Sequence, residues 1–203
     1  MNSIQIGRLL RSATHGCVMG CRVSQLDAPQ FGGLVRIPLA GGDQVYGIIH
    51  DIHIDDDGLV RQLVNTPNVS EETLLDNRQN RNVPVEIGVI FVGSESNGTV
   101  SHLLPPRPPL SLDAIYACDD AELVRFTGTG RFGYLRHLYR NTELPLAELV
   151  SAHLKQAGQA HAAAGNTAWI HQAAAEIITA LRDEYPRLID VLSALKDAGI
   201  EGL

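Results

Sequence analysis

The sequence predicts an α+β fold, with a small closed β-barrel at the N-terminus followed by a C-terminal α-helical bundle. Three observations carry that prediction. Residues 1–105 are built of short β-branched runs separated by Gly, Asn and Asp turns. Residues 106–111 close a Pro-rich stretch that reads as a connector. Residues 112–203 then place their apolar side chains at a period of about 3.6, the repeat of a helix.

The strands are read first. Ile4–Arg11, Cys17–Leu26, Leu34–Leu39, Gln44–Ile54, Leu59–Val64 and Val83–Val92 each combine β-branched residues with flanking turn residues. Strand side chains alternate between faces, so Cys17, Met19, Cys21 and Val23 share one face. Val83, Val85, Ile87, Val89 and Phe91 share another. The breaks are Gly32-Gly33, Gly41-Gly42-Asp43, Asp55-Asp56-Asp57-Gly58 and Asn97-Gly98. Many short strands without intervening helices point to a closed barrel or a small sandwich, and a closed barrel also removes exposed edges. Asn65–Asn82 is polar and Asn-rich, and reads as an inserted loop with a short helix from Ser70.

The boundary falls at Leu104-Pro105-Pro106-Arg107-Pro108-Pro109, where four prolines in five residues cannot donate to a ladder. Beyond it, Ser111 is expected to cap a short helix through Cys118, and Asp119–Phe126 reads as helix. Leu146, Leu149, Val150, His153, Leu154 and Ala157 form one helical stripe, with Pro145 in its first turn. Ile170, Ala173, Ala174, Ile177 and Leu181 form a second, and Leu188, Val191, Leu192 and Leu195 a third ending at Gly199. Such stripes must be buried against one another or against a partner.

Composition excludes several classes of function. With 16 Lys plus Arg against 23 Asp plus Glu, the chain lacks the general basic footprint of a nucleic-acid binder. No apolar run approaches a membrane span or a signal-peptide core, and three cysteines form no even disulfide set. The expectation is a soluble cytoplasmic protein in which the sequons at Asn68 and Asn97 have no role.

The first half resembles the HAS barrel found at the N-terminus of HerA-type DNA-translocating ATPases, to which a barrel of the rotary ATP synthases is related. The residues that carry the resemblance are Ile6-Gly7-Arg8, Leu34-Val35-Arg36-Ile37, Val45-Tyr46-Gly47-Ile48-Ile49-His50-Asp51-Ile52, Val85–Gly93 and the Pro-rich exit. Asp113-Ala114-Ile115-Tyr116-Ala117 resembles the segment that hands such barrels over to their ATPase domain. The likeness covers about the first 120 residues. A HerA-type motor would continue into a P-loop, and this chain contains no G-x-x-x-x-G-K-[ST]. The resemblance therefore implies a non-catalytic accessory or adaptor protein. Its barrel would assemble with itself or with a HerA-like ATPase partner, and it would need no cofactor.

Several residue groups invite a chemical reading. Arg125, Arg131, Arg136 and Arg140 lie with Tyr134 and Tyr139 in a stretch without acids between Glu122 and Glu143. Cations interleaved with aromatics suit a docking surface for a protein or phosphate-bearing partner, or weak binding of nucleic acid. Plain helix packing accounts for the same residues. Gly128-Thr129-Gly130-Arg131-Phe132-Gly133 matches the dinucleotide fingerprint, but no βαβ unit surrounds it, so it reads as an interhelical turn. Asp51, His53 and Asp55 alternate on a strand end and are the rival site, a small metal-dependent enzyme; a solvent-facing strand end explains them equally. Cys17 and Cys21 read as core, and Trp169 as a core anchor. No H-E-x-x-H or G-x-S-x-G is present, so no catalytic residue is assigned.

Overall fold

A computed structural model describes residues 4–22, 29–56, 58–79 and 84–200. Seven strands form one antiparallel sheet: β1 (Gln5–Ala13), β2 (Gly16–Cys21), β3 (Leu34–Pro38), β4 (Gln44–His53), β5 (Val85–Ser96), β6 (Thr99–Ser101) and β7 (Ala114–Ala117). Their order is β2-β1-β7-β3-β4-β5-β6, and a further pairing of β2 with β5 closes the first six into a barrel. Strand β6 hangs outside the ring as the return arm of a hairpin on β5.

The alternation read from the sequence sets the inward face. Cys17, Met19 and Cys21 point into the lumen, as do Val85, Ile87, Val89 and Phe91. They meet Ile6, Leu9, Val35, Ile37, Val45, Ile49 and Ile115 in a lumen core without a charged side chain. Val23 and Val83, assigned to the same two faces, lie outside the described residues, as do residues 24–26 of the expected second strand.

Two expected elements are corrected. Leu59–Val64, read as a strand, is a one-and-a-half-turn helix, α1. Its apolar pairs Leu59/Leu63 and Val60/Val64 have i,i+4 spacing, which fits a helix as well as a short strand. Helix α2 (Glu71–Gln79) follows, with the Ser70 hydroxyl accepting the Thr73 amide at 3.2 Å, as the expected helix from Ser70 requires. The second correction concerns 111–118. Residues 114–117 are not helical but form strand β7, paired with Gln5, Gly7 and Arg8 of β1 and with Val35 and Arg36 of β3. Ile115 fills the lumen there, and the gap between β1 and β3 overrides local preference. The boundary expected at residue 105 thus falls between β6 and β7 of a single sheet, and the Pro-rich run is a loop within the barrel's strand order.

The remaining chain is helical: α3 (Asp120–Thr127), a 3-10 turn (Gly130–Leu135), α4 (Arg136–Tyr139), α5 (Leu146–Ala163), α6 (Trp169–Leu181) and α7 (Tyr185–Asp197). Helix α3 starts on a reciprocal capping box, in which the Asp119 side chain accepts the Glu122 amide and the Glu122 carboxylate accepts the Asp119 amide. The three stripes read from the sequence are buried on α5, α6 and α7, with Ile170 and Leu192 half-buried at their margins. They share one core with the outer face of the barrel, contributed by Leu34, Tyr46, Ile48, Ile90 and Val92. Among the described residues no helix is long and apolar enough to cross a membrane.

Close approach of α3 to the sheet depends on Gly93. A Cβ there would lie 2.5 Å from the Ser101 carbonyl oxygen and 2.8 Å from the Phe126 ring. Gly93→Ala is therefore expected to destabilise the fold by about 2 kcal/mol through overpacking, read as a lower midpoint of urea unfolding.

Candidate docking cleft

The arginine-aromatic stretch does not converge on one site. Arg125 is committed inward: Nη1 donates to Glu95 Oε1, and Nη2 donates to the Tyr46 hydroxyl at 2.8 Å. Tyr46 in turn donates to Glu95 Oε2 at 2.7 Å, completing a three-membered network on the barrel's outer face. The Arg125 hydrogen bond, then that from Tyr46, holds the Glu95 carboxyl below its ordinary range. Arg136 donates to the His102 carbonyl, as does His137 Nε2 at 2.9 Å. Tyr134 is fully buried, and its hydroxyl lies 3.1 Å from His153 Nε2. Tyr139 is half-buried, and its carbonyl accepts from Arg187. Only Arg131 and Arg140 of the six project from the surface as exposed side chains apart from the paired Arg125.

The Gly128–Gly133 match is the interhelical turn expected. Gly130, Arg131 and Phe132 follow one another at φ 64°, 48° and 59°, an unusual left-handed run for the two non-glycine residues. The turn directs Phe132 onto Trp169, 5.4 Å between rings, and sends Arg131 outward. Trp169 is 2% exposed, as a core anchor should be.

The rival site does not assemble into a metal centre. His53 lies 3.0 Å from Asp55 at the exposed end of β4, and Asp51 lines a cleft on the barrel wall. Among the described residues no group of three His, Cys, Asp or Glu side chains is placed to hold a metal ion. Burial pushes the Cys17 thiol up to about 12 and raises that of Cys21, so these lumen cysteines are poor nucleophiles.

One concavity was not foreseen as a unit from the sequence. A cleft of about 660 Å³ lies between the barrel wall at β1, β2, β4 and β5 and the segment leading into α5. Val18, Phe31 and Ile90 supply apolar surface, while Arg11, Asp51 and Glu143 bring charges of both signs. A second hollow of about 290 Å³ shares His15, Ile90, Asn141 and Glu143 with it and extends to His137 and Arg140. Asp51 and Arg140, named from the sequence for different reasons, thus border one continuous groove. His50 also lines it, with its ring against Gly88 and its basicity lowered by burial. Nothing in the sequence flags the groove, because its walls come from segments more than a hundred residues apart.

Compared with known proteins, the chain matches no protein-family model and no curated relative.

The Tyr46–Glu95–Arg125 network generates a prediction. Glu95→Gln should cost about 1–2 kcal/mol, because a buried charge-assisted acceptor is lost while Arg125 and Tyr46 remain. Since the folded carboxyl titrates below its ordinary value of 4.5, its contribution is present above that pH and is lost as pH falls through the depressed value. Urea unfolding of the variant should accordingly show a flatter dependence on pH below 4.5 than the parent chain.

Proposed function

We propose that this chain is a non-catalytic adaptor whose barrel docks a protein partner in the groove beside Asn141–Pro145. One observation carries the reading: two adjoining hollows on a closed barrel, in which Val18, Phe31 and Ile90 stand beside charges of both signs. Protein-protein interfaces have that arrangement, with a desolvated apolar centre and a polar rim. A small-molecule site would instead concentrate a few converging polar groups in an enclosed pocket. Hydrogen bonds within the chain from Arg125 and Arg136, with Tyr134 buried, favour the protein-docking reading of the 125–140 stretch over nucleic-acid binding, and Arg140 borders the groove.

The class of partner comes from the resemblance of the first half to the HAS barrel. By that likeness the partner is a HerA-like ATPase without a barrel of its own, and assembly of the barrel with itself is the second form of the same reading. The helical half, packed on the barrel as a C-terminal bundle, would leave the groove open on one side and present its own outer surface to the assembly.

The test is affinity capture of the tagged chain from its native host beside two groove variants. Val18→Lys sits on the floor and Arg140→Glu on the rim. Each should lower recovery of a specific partner about tenfold, equivalent to about 1.4 kcal/mol, without moving the urea midpoint. A partner recovered equally by both variants would remove the groove from the interface. A P-loop ATPase among the groove-dependent proteins would support the accessory-subunit form of the reading.

A further inference from the structure

Three buried histidines tie the helical layer together and to the barrel, His153 and His102 across the seam and His161 between helices, and each is positioned to work only as the neutral base. His153 on α5 is fully buried, with Nδ1 donating to the Gly32 carbonyl at 2.9 Å and Nε2 accepting from the Tyr134 hydroxyl at 3.1 Å. That pair ties α5 to the barrel loop before β3. His161, further along α5, contacts the Thr127 hydroxyl at the end of α3 through Nε2 at 2.8 Å. Thr127 already donates its proton to the Leu123 carbonyl, so His161 must carry its proton on Nε2. Its Nδ1 is buried without a hydrogen-bond partner. His102, beyond β6, donates through Nε2 to the Phe126 carbonyl at 3.2 Å, and its Nδ1 too is buried without one.

A second proton has nowhere good to go at any of the three. On His102 and His161 it would create an N–H directed into a buried space that offers no acceptor. On His153 it would meet the Tyr134 hydroxyl proton and force that group to turn. The groups facing these rings give no compensating negative charge. They are Gly32 and Tyr134 at His153, and Thr127 and the Trp169 ring at His161. At His102 they are Phe126, Tyr134 and the cationic or titratable Arg136 and His137 of α4. The Glu95–Arg125 pair reaches the cluster through Tyr46, whose ring lies 4.6 Å from that of Phe126, and its charges already balance.

We propose that this seam is an acid-releasable contact: protonation of His102, His153 and His161 frees α5 and α6 from the barrel while the barrel itself stays closed. The two cores differ in just this respect. The lumen core consists of Ile, Leu, Val, Met, Phe and Cys side chains, none of which gains charge in acid. The helix-side core holds all three histidines, two at the seam and His161 among the helices that cover it. Burial lowers the basicity of each, and that of His153 to about 4 against an ordinary 6.5. With the folded value depressed, the neutral form's stabilising effect is whole above 6.5 and is lost as pH falls toward 4. Release would uncover Leu34, Ile48, Ile90 and Val92 on the outer barrel wall, of which Ile90 also lines the groove.

The chain supplies its own reporter. Trp169, its single tryptophan, stacks on His161 with ring centroids 4.3 Å apart and planes 9° from parallel. Hydrogen exchange read by mass spectrometry, with Trp169 emission, is followed on the full chain from pH 6.5 to pH 4. After correction for intrinsic exchange, protection of α5 and α6 should fall about a hundredfold over that window from His153 alone. Trp169 emission should shift to the red while β2 and β5 keep their protection. In a His102→Gln, His161→Gln double variant, the amide N–H can replace the Nε2 donor without titrating, and the midpoint should move to lower pH. Loss of helix and strand protection in one transition would overturn the proposal, as would a double variant that titrates like the parent. If the double variant fails to fold at neutral pH, the order of loss in the parent chain decides alone.

Discussion

Strand β5 is the member on which the rest of the structure depends. It is hydrogen-bonded to β2 along one edge and to β4 along the other, so the barrel is closed through it. Its side chains are also buried on both faces. Val85, Ile87, Val89 and Phe91 enter the lumen, while Ile90 and Val92 enter the helix layer. A strand in that position joins the two cores, as β3 and β4 also do through Leu34, Tyr46 and Ile48. Displacing it would open the ring and strip the helices of their floor together.

That double burial explains how the helical half is held. Helices α5, α6 and α7 each offer an apolar stripe, but the stripes do not close only on one another. They complete a layer whose other side is sheet, with polar ties at the contact: His153 to Gly32, Gln156 to the Phe31 carbonyl, and Arg36 of β3 to Glu122 of α3. The ties are few and directional, and the apolar area around them supplies most of the adhesion. Where they are neutral histidines, the contact is strong at the pH where the ring is uncharged and intolerant of a proton.

Much of this was legible. Alternation at Cys17, Met19 and Cys21 marked the lumen face, and the 3.6-residue stripes marked α5, α6 and α7 to within a few residues. Val89-Ile90-Phe91-Val92 held a further signal, because an unbroken apolar run in a strand means cover on both faces. Other features were not legible for physical reasons. Leu59–Val64 is too short for its period to separate helix from strand, and Ala114–Ala117 becomes a strand only because β1 and β3 leave a slot for it. The arginines at 125, 131, 136 and 140 are neighbours in sequence, yet a helix end, a left-handed turn and a second short helix aim them in different directions. The groove was hidden for the opposite reason, since its walls are neighbours only in space.

Strand β7 also sets an order of events during synthesis. It is the last strand in the chain but sits between β1 and β3, strands that precede it by about eighty residues or more. Until Ala117 has left the ribosome the ring cannot close, and β1 and β3 each keep an unpaired edge. Contacts at such sequence separation form slowly, and open edges invite pairing with other chains. The four residues of β7 therefore act as a keystone whose late arrival fixes how long a growing chain stays vulnerable. A nascent chain stalled within the Pro-rich run would carry nearly the whole barrel sequence and still be unable to shut it.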